Sequence, residues 1–349
     1  MITVFSEQHL LRNVRTELYG GELVAPHECP ERAQIVLERV RSIGLGEVLS
    51  PQGFGLAPVL RVHDEHYVEF LASAWKEWVA AGNRGEAIPD CWPARRMAQR
   101  RPESISGKLG FYAFAGETSI GEGSWEAARA AADVALTGAQ RLSAGAPGAF
   151  ALCRPPGHHA ARDLYGGYCF LNNAAIAAQH LRDLGAARVA VLDVDFHHGN
   201  GTQDIFYDRA DVLYASLHGD PADAFPYFSG YADEAGCGAG EGFTLNLPVA
   251  AFSGDDVFCE LVHSRVIPLA REYRPQLILI SAGYDAHADD PLADCLVTEG
   301  GYATMTTAMR RLAEELEVPV GVVLEGGYEL GALARSVAAT LHALSGDDR

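Results

Sequence analysis

The chain has 349 residues, 48% of them hydrophobic and 21% charged, and a formal net charge of −19. That composition excludes a disordered or low-complexity polymer, and the acid excess excludes a protein organised around phosphate backbones, which needs concentrated Lys and Arg. A field of this sign favours cationic partners. Seven cysteines, odd in number and without CxxC spacing, read as reduced thiols rather than a disulfide frame. No apolar run reaches the roughly eighteen residues of a membrane span, and no basic segment precedes an apolar one at the start, so the cytoplasm is the expected location.

In chain order, Ile2-Thr3-Val4-Phe5 reads as a first strand and Tyr19-Gly20-Gly21-Glu22-Leu23 as a glycine turn. Pro30 opens a helix carried by Ile35, Leu37, Val40 and Ile43, which Gly44 ends. Val62-His63-Asp64 reads as a strand end, followed by an amphipathic helix around Tyr67-Val68-Glu69-Phe70-Leu71. From Ala80 to about Leu109 periodicity fails. Glycines, prolines, Trp92-Pro93 and the basic doublets Arg95-Arg96 and Arg100-Arg101 suggest a surface that meets a second copy of the chain.

A long helix through Ala127–Ala139 follows Glu117-Thr118, and the pattern then becomes regular. Strands are expected at 149–152, 189–194, 212–217, 276–281 and 319–324, with helices near 173–184, 255–272, 299–316 and 330–344; only the last few residues look frayed. This alternation, with no linker, implies one α/β domain over 1–349: a mostly parallel sheet with helices on both faces.

Four of these apolar runs end in polar bursts: Arg154-Pro155-Pro156-Gly157-His158-His159, Asp193 to Gly201, Ser281-Ala282-Gly283-Tyr284-Asp285 and Glu325-Gly326-Gly327-Tyr328. In an open parallel sheet all four arrive at the carboxyl edge, where ligands gather. Asp195 and His197 alternate with Val194 and Phe196, and the period of two in extended chain points both the same way. With Asp285 they form a three-ligand set suited to a catalytic zinc ion with open positions. His158 and His159 are suited to proton transfer, Asp193 and Asn200 to orienting the imidazoles, and Tyr328 to donating a hydrogen bond to an oxyanion.

At RPPGHH, DVDFHHGNGTQ, SAGYDAH and EGGY the sequence resembles the histone deacetylase superfamily, over nearly the whole chain. The resemblance implies one zinc ion on Asp195, His197 and Asp285, His159 as chief general base and acid with His158 its electrostatic partner, and Tyr328 on the oxyanion. It implies Gly167, Tyr168 and Phe225 along an acyl-amine tunnel. It also implies a structural potassium ion on the backbone oxygens of Asp193, Asp195, His197 and Leu217 and the hydroxyl of Ser216.

Within the superfamily, the segment Leu18 to Leu23, the Pro-rich stretch at about 80–110, Glu117 and His218-Gly219-Asp220-Pro221 are similar to bacterial acetylpolyamine amidohydrolases. That similarity implies a homodimer whose insertion at about 80–110 narrows the active-site entrance, and Tyr19 and Glu117 near the far ammonium of a small cationic acetylated amine. One segment and one position depart from the subgroup. Ala286-His287-Ala288-Asp289-Asp290-Pro291-Leu292 looks more like general deacetylases, and Ser106 stands where an acid can occur.

The expected reaction is zinc-dependent hydrolysis of an acetylated polyamine. The rivals are hydrolysis of acetyl-lysine in proteins or peptides, a two-metal ureohydrolase, for which His198-Gly199-Asn200 lacks a second bridging acid, and a catalytically inactive acyl-amine-binding protein.

Overall fold

Residues alternate along the strands between two apolar cores. Val189 and Val191 join one cluster and Ala190 and Leu192 the other; in the next strand Val212 and Tyr214 oppose Leu213, Ala215 and Leu217. Burial on both faces is what a parallel sheet covered by helices requires. The computed structural model describes residues 1–346, and the expected fraying of the last residues falls largely outside that range.

The strands are β1 (Ile2–Val4), β2 (Glu17–Tyr19), β3 (Glu22–Val24), β4 (Val48–Leu49), β5 (Gly148–Ala151), β6 (Val189–Asp193), β7 (Val212–Gly219), β8 (Thr244–Val249), β9 (Leu277–Ala282) and β10 (Val320–Leu324). Eight form one sheet in the order β4-β1-β5-β10-β9-β6-β7-β8, and every pairing in it is parallel. β2 and β3 form a separate antiparallel hairpin turned by Gly20 and Gly21.

The helices are α1 (Pro30–Ile43), α2 (Glu65–Ala80), α3 (Ile105–Tyr112), α4 (Ser124–Ser143), α5 (Asn173–Asp183), α6 (Asn200–Phe206), α7 (Asp255–Leu261), α8 (Ile267–Tyr273), α9 (Glu299–Leu316) and α10 (Leu330–Ser345). A π-turn over Val262–Val266 joins α7 to α8, so the helix expected at 255–272 runs through without a break. α1 starts on Pro30 and stops at Gly44, whose φ of 66° only glycine adopts freely. Among the described residues no helix is long and apolar enough to cross a membrane.

Two expectations are corrected, and one strand was not expected. Val62-His63-Asp64 is not a strand end: a 3-10 turn over Val59–Arg61 leads into α2, and the His63 ring is drawn inward to Ala161 and Asn172. The irregular stretch is shorter than 80–109, because Ser104 accepts a hydrogen bond from the Gly107 N–H and starts α3 at Ile105. β8 was not anticipated: its buried positions are interrupted by half-exposed ones, and Asn246 and Pro248 break up the apolar run. Pro248 is tolerated because β8 is an edge strand.

Candidate active site

The four strands carrying the polar bursts, β5, β10, β9 and β6, are neighbours in the centre of the sheet. All run the same way, so their bursts meet at one edge. The loops are also tied to each other: the Tyr284 N–H donates to the Gly326 carbonyl, and the Gly326 N–H to Asp195 Oδ2.

Asp195, His197 and Asp285 converge, with ligand atoms within 4.8 Å of one another. The extended chain expected through His197 is corrected, since β6 ends at Asp193. Convergence survives because Asp195 Oδ1 accepts the His197 N–H at 2.9 Å, a local turn that keeps both side chains on one point. Asp195 Oδ2 accepts the Gly326 N–H and Asp285 Oδ1 the Phe196 N–H, while Asp195 Oδ1 and Asp285 Oδ2 lie 3.4 Å and 2.8 Å from His197 Nδ1. Burial, together with the Asp195 charge, pushes the Asp285 carboxyl up to about 7. Two fully buried acids and an imidazole facing one point fit a divalent cation, which removes that repulsion. Gly283 is required here, because a Cβ on it would lie 1.9 Å from Asp195 Oδ2.

The two histidines on the β5 loop stand with ring centroids 4.1 Å apart and have different partners. His158 Nδ1 is 3.2 Å from Asp193 Oδ2, and the Asp195 and Asp193 charges outweigh burial to raise its pKa. His159 Nδ1 is 2.7 Å from Asn200 Oδ1; burial, then the charges on His158 and His197, lowers its pKa well below the usual value. Amide oxygens only accept, so His159 carries its proton on Nδ1 and leaves Nε2 free.

Several residues that support these groups were not singled out in the sequence. Glu325 lies within EGGY but had no role; its Oε2 accepts the N–H groups of Gly157 and His158, and its Oε1 the Ser281 hydroxyl. Tyr214 donates to Asp193 at 3.1 Å. Arg154 holds the β5 loop by donating to Glu28 and to the carbonyls of His9 and Arg12. A second group, His158, Cys169 and Glu325, has metal-ligand spacing, but backbone amides already occupy Glu325 Oε2 and burial holds the Cys169 thiol well above its ordinary pKa. It is a structural cluster.

Tyr19, Glu117, Gly167, Tyr168 and Phe225 all line one cavity of about 760 Å³, whose walls also include His159, His197 and Tyr328. Gly167 packs against the base: a Cβ there would come within 2.1 Å of His159 Cδ2. Glu117 Oε1 accepts the Gly167 N–H at 2.6 Å, Thr118 Oγ1 accepts the Tyr168 N–H, and Glu17 accepts the Tyr168 hydroxyl at 3.1 Å. Glu117 therefore builds the wall as well as facing the cavity. No residue between 81 and 104 lines this cavity among the described residues, although Trp92 packs close to Gly116 and Leu18 behind its wall. Ser216 pairs in register with Asp193, and Leu217 follows it, which brings the expected potassium segments side by side.

A buried cluster able to hold one cation at the carboxyl edge of a parallel sheet, with an imidazole and a phenol on the same cavity wall, is an arrangement suited to metal-assisted hydrolysis. The histone deacetylase domain matches residues 26–344. The chain is 49% identical to the acetylpolyamine amidohydrolase of Mycoplana ramosa over 99% of its length and all of that protein's, and 45% identical to acetylpolyamine amidohydrolase 2 of Pseudomonas aeruginosa over the full length of both. Its fold superposes on the crystal structure of the acetylpolyamine aminohydrolase from Burkholderia pseudomallei with a TM-score of 0.92 at 38% identity, covering 99% of this chain and 98% of that one. The chain belongs to the histone deacetylase family, and it is an enzyme of the deacetylase and amidohydrolase class.

Proposed function

We propose that the enzyme hydrolyses the acetamide of acetylated polyamines, of the acetylputrescine, acetylcadaverine or acetylspermidine type, to acetate and the free amine. One observation carries the choice of substrate: the acidic residues Glu117, Asp220, Asp223 and Asp294 line the cavity, and among the described residues no Lys or Arg does. A cationic chain is favoured in such a field, and the curated relatives of similar length bear acetylpolyamine names.

Asp195, His197 and Asp285 would hold a zinc ion, which when bound supplies Lewis acidity toward the acetyl carbonyl and the attacking water. His159 takes the water's proton on Nε2 and passes it to the leaving nitrogen, so the C–N bond breaks toward a neutral amine. His158, whose ring lies 4.1 Å from that of His159, adds its charge to the burial that holds His159 neutral. Tyr328, whose phenol burial keeps protonated, donates to the carbonyl oxygen as it gains charge. Gly167, Tyr168 and Phe225 exclude water from the acyl group, with Tyr19 and Glu117 toward the free ammonium. A potassium ion on the Asp193, Asp195, His197, Ser216 and Leu217 segments, a homodimer formed through the basic insertion and a cytoplasmic location complete this reading.

Measuring kcat/KM for acetylputrescine and for uncharged N-butylacetamide against ionic strength tests it. The cationic substrate is expected to be much the better and to lose rate as salt screens the mouth, while the neutral one stays flat. Equal rates for the two would remove the polyamine assignment. Acetyl-lysine in peptides is the second reading, favoured by the segment Ala286 to Leu292; a clear preference for an acetyl-lysine peptide over acetylputrescine would establish it.

A further inference from the structure

We infer that Asp290 is a positioning residue for Tyr328, fixing through the backbone where the phenol stands in the cavity. Asp290 is buried, yet it does not line the cavity as its neighbours Pro291, Leu292, Ala293 and Asp294 do. Its carboxylate reaches across to the β10 loop. Oδ2 accepts the N–H of Tyr328 at 2.6 Å and of Glu329 at 3.2 Å, and Oδ1 accepts the N–H of Leu292 at 3.1 Å. Both oxygens are acceptors, a demand that a carboxylate meets and an amide cannot, since one end of Asn is a donor.

The segment that carries Asp290 is itself fixed. The Asp290 N–H donates to the His287 carbonyl, the Asp289 N–H to His287 Nδ1, and Arg335 ties Asp289 to Glu299. Five residues earlier the same segment presents Asp285 to the candidate metal point. One short turn thus sets two positions at once: a ligand through Asp285, and the oxyanion donor through Asp290. The distance between ligand and phenol is built into the chain, across a Gly326-Gly327 pair whose own backbone is tied to Asp195, Tyr284 and Arg32. Displacing an oxyanion donor by about 1 Å costs up to about 10² in rate, so the contact bears on turnover more than on binding.

This rests on the proposed role of Tyr328 in amide hydrolysis, and a double-mutant cycle of Asp290→Ala and Tyr328→Phe tests it separately from the choice of substrate. The cycle is run on whichever acetylated amine the wild-type enzyme turns over, acetylputrescine or an acetyl-lysine peptide, with thermal melts of each variant. Asp290→Ala alone is expected to lower kcat about ten- to a hundredfold with KM changed less than about threefold, and Asp290→Asn to lower it by less. In the Tyr328→Phe background the same change is expected to cost under about threefold, because the group it places is already gone. Equal losses in both backgrounds, an effect confined to KM, or unchanged kcat in the single variant would overturn the assignment. Should the alanine variant fail to fold, the asparagine variant completes the cycle with the same criteria.

Discussion

Asn200 Oδ1 stands 2.7 Å from Nδ1 of His159, while the Asn200 amide donates back to the His159 carbonyl at 3.3 Å. One side chain therefore chooses both the tautomer and the tilt of the imidazole. Asn200→Asp places a negative charge at that nitrogen and raises the His159 pKa. The base must be neutral, so the acidic limb of kcat/KM moves to higher pH. Asn200→Leu leaves the ring without its orienting acceptor and is expected to cost about 10–100-fold in kcat, as for other groups that orient a functional imidazole. pH–rate profiles of both variants check this.

Arg32 grips the Tyr328 loop from the other side. Its guanidinium lies 4.9 Å from the phenol ring centroid and donates to the carbonyls of Gly327 and Glu325 and to Glu28. Arg32→Ala strips partners from a buried carboxylate and two buried carbonyls, and is expected to destabilise the fold by about 3–5 kcal/mol. Arg32→Lys is not expected to rescue it, since an ammonium cannot reproduce the planar fork. Denaturant melts measure both.

Removing the metal is expected to lower stability as well as activity. Without a cation, the buried Asp195 and Asp285 carboxylates face one another, and the pKa of Asp285 rises. A melting temperature that falls on chelation and returns on adding zinc, and a zinc content well below one per chain for Asp285→Asn, are the expected outcomes, read by calorimetry and elemental analysis.

His63 gives a pH dependence unconnected with catalysis. Its Nδ1 donates to the Ala161 carbonyl and its Nε2 accepts the Asn172 N–H, an arrangement that only the neutral ring satisfies. Burial lowers its pKa from 6.5 to about 4. The folded state then binds fewer protons than the unfolded one between those values. Its contribution is complete above 6.5 and lost as pH falls toward 4, at up to about 1.4 kcal/mol per pH unit. His9 and His218, also lowered to about 4, add to the slope in the same window. His63→Gln is expected to flatten the pH dependence of the melting temperature by one proton's worth.

The central strands and the four polar bursts were legible because a run buried on both faces has a plain apolar signature, and each burst begins where that run stops. β8 and α3 were not, because an edge strand alternates weakly and a two-turn helix is set by its cap as much as by periodicity. The groups placed behind the site, Arg32, Glu28, Asp290 and Glu325, were hidden for a different reason. A lone charged residue in a sequence reads as surface, and only long-range packing shows that it is buried and committed to distant backbone.

The acidic residues lining the cavity also bear on how a cycle ends. Hydrolysis frees an amine that takes up a proton in water, so a polyamine product leaves carrying one more positive charge than the substrate brought in. On the reading proposed above, a cavity lined by acidic residues is expected to hold that product more firmly than the substrate. Free polyamine then competes with substrate for this cavity, so added product is expected to inhibit turnover, which initial rates at rising concentrations of free amine measure.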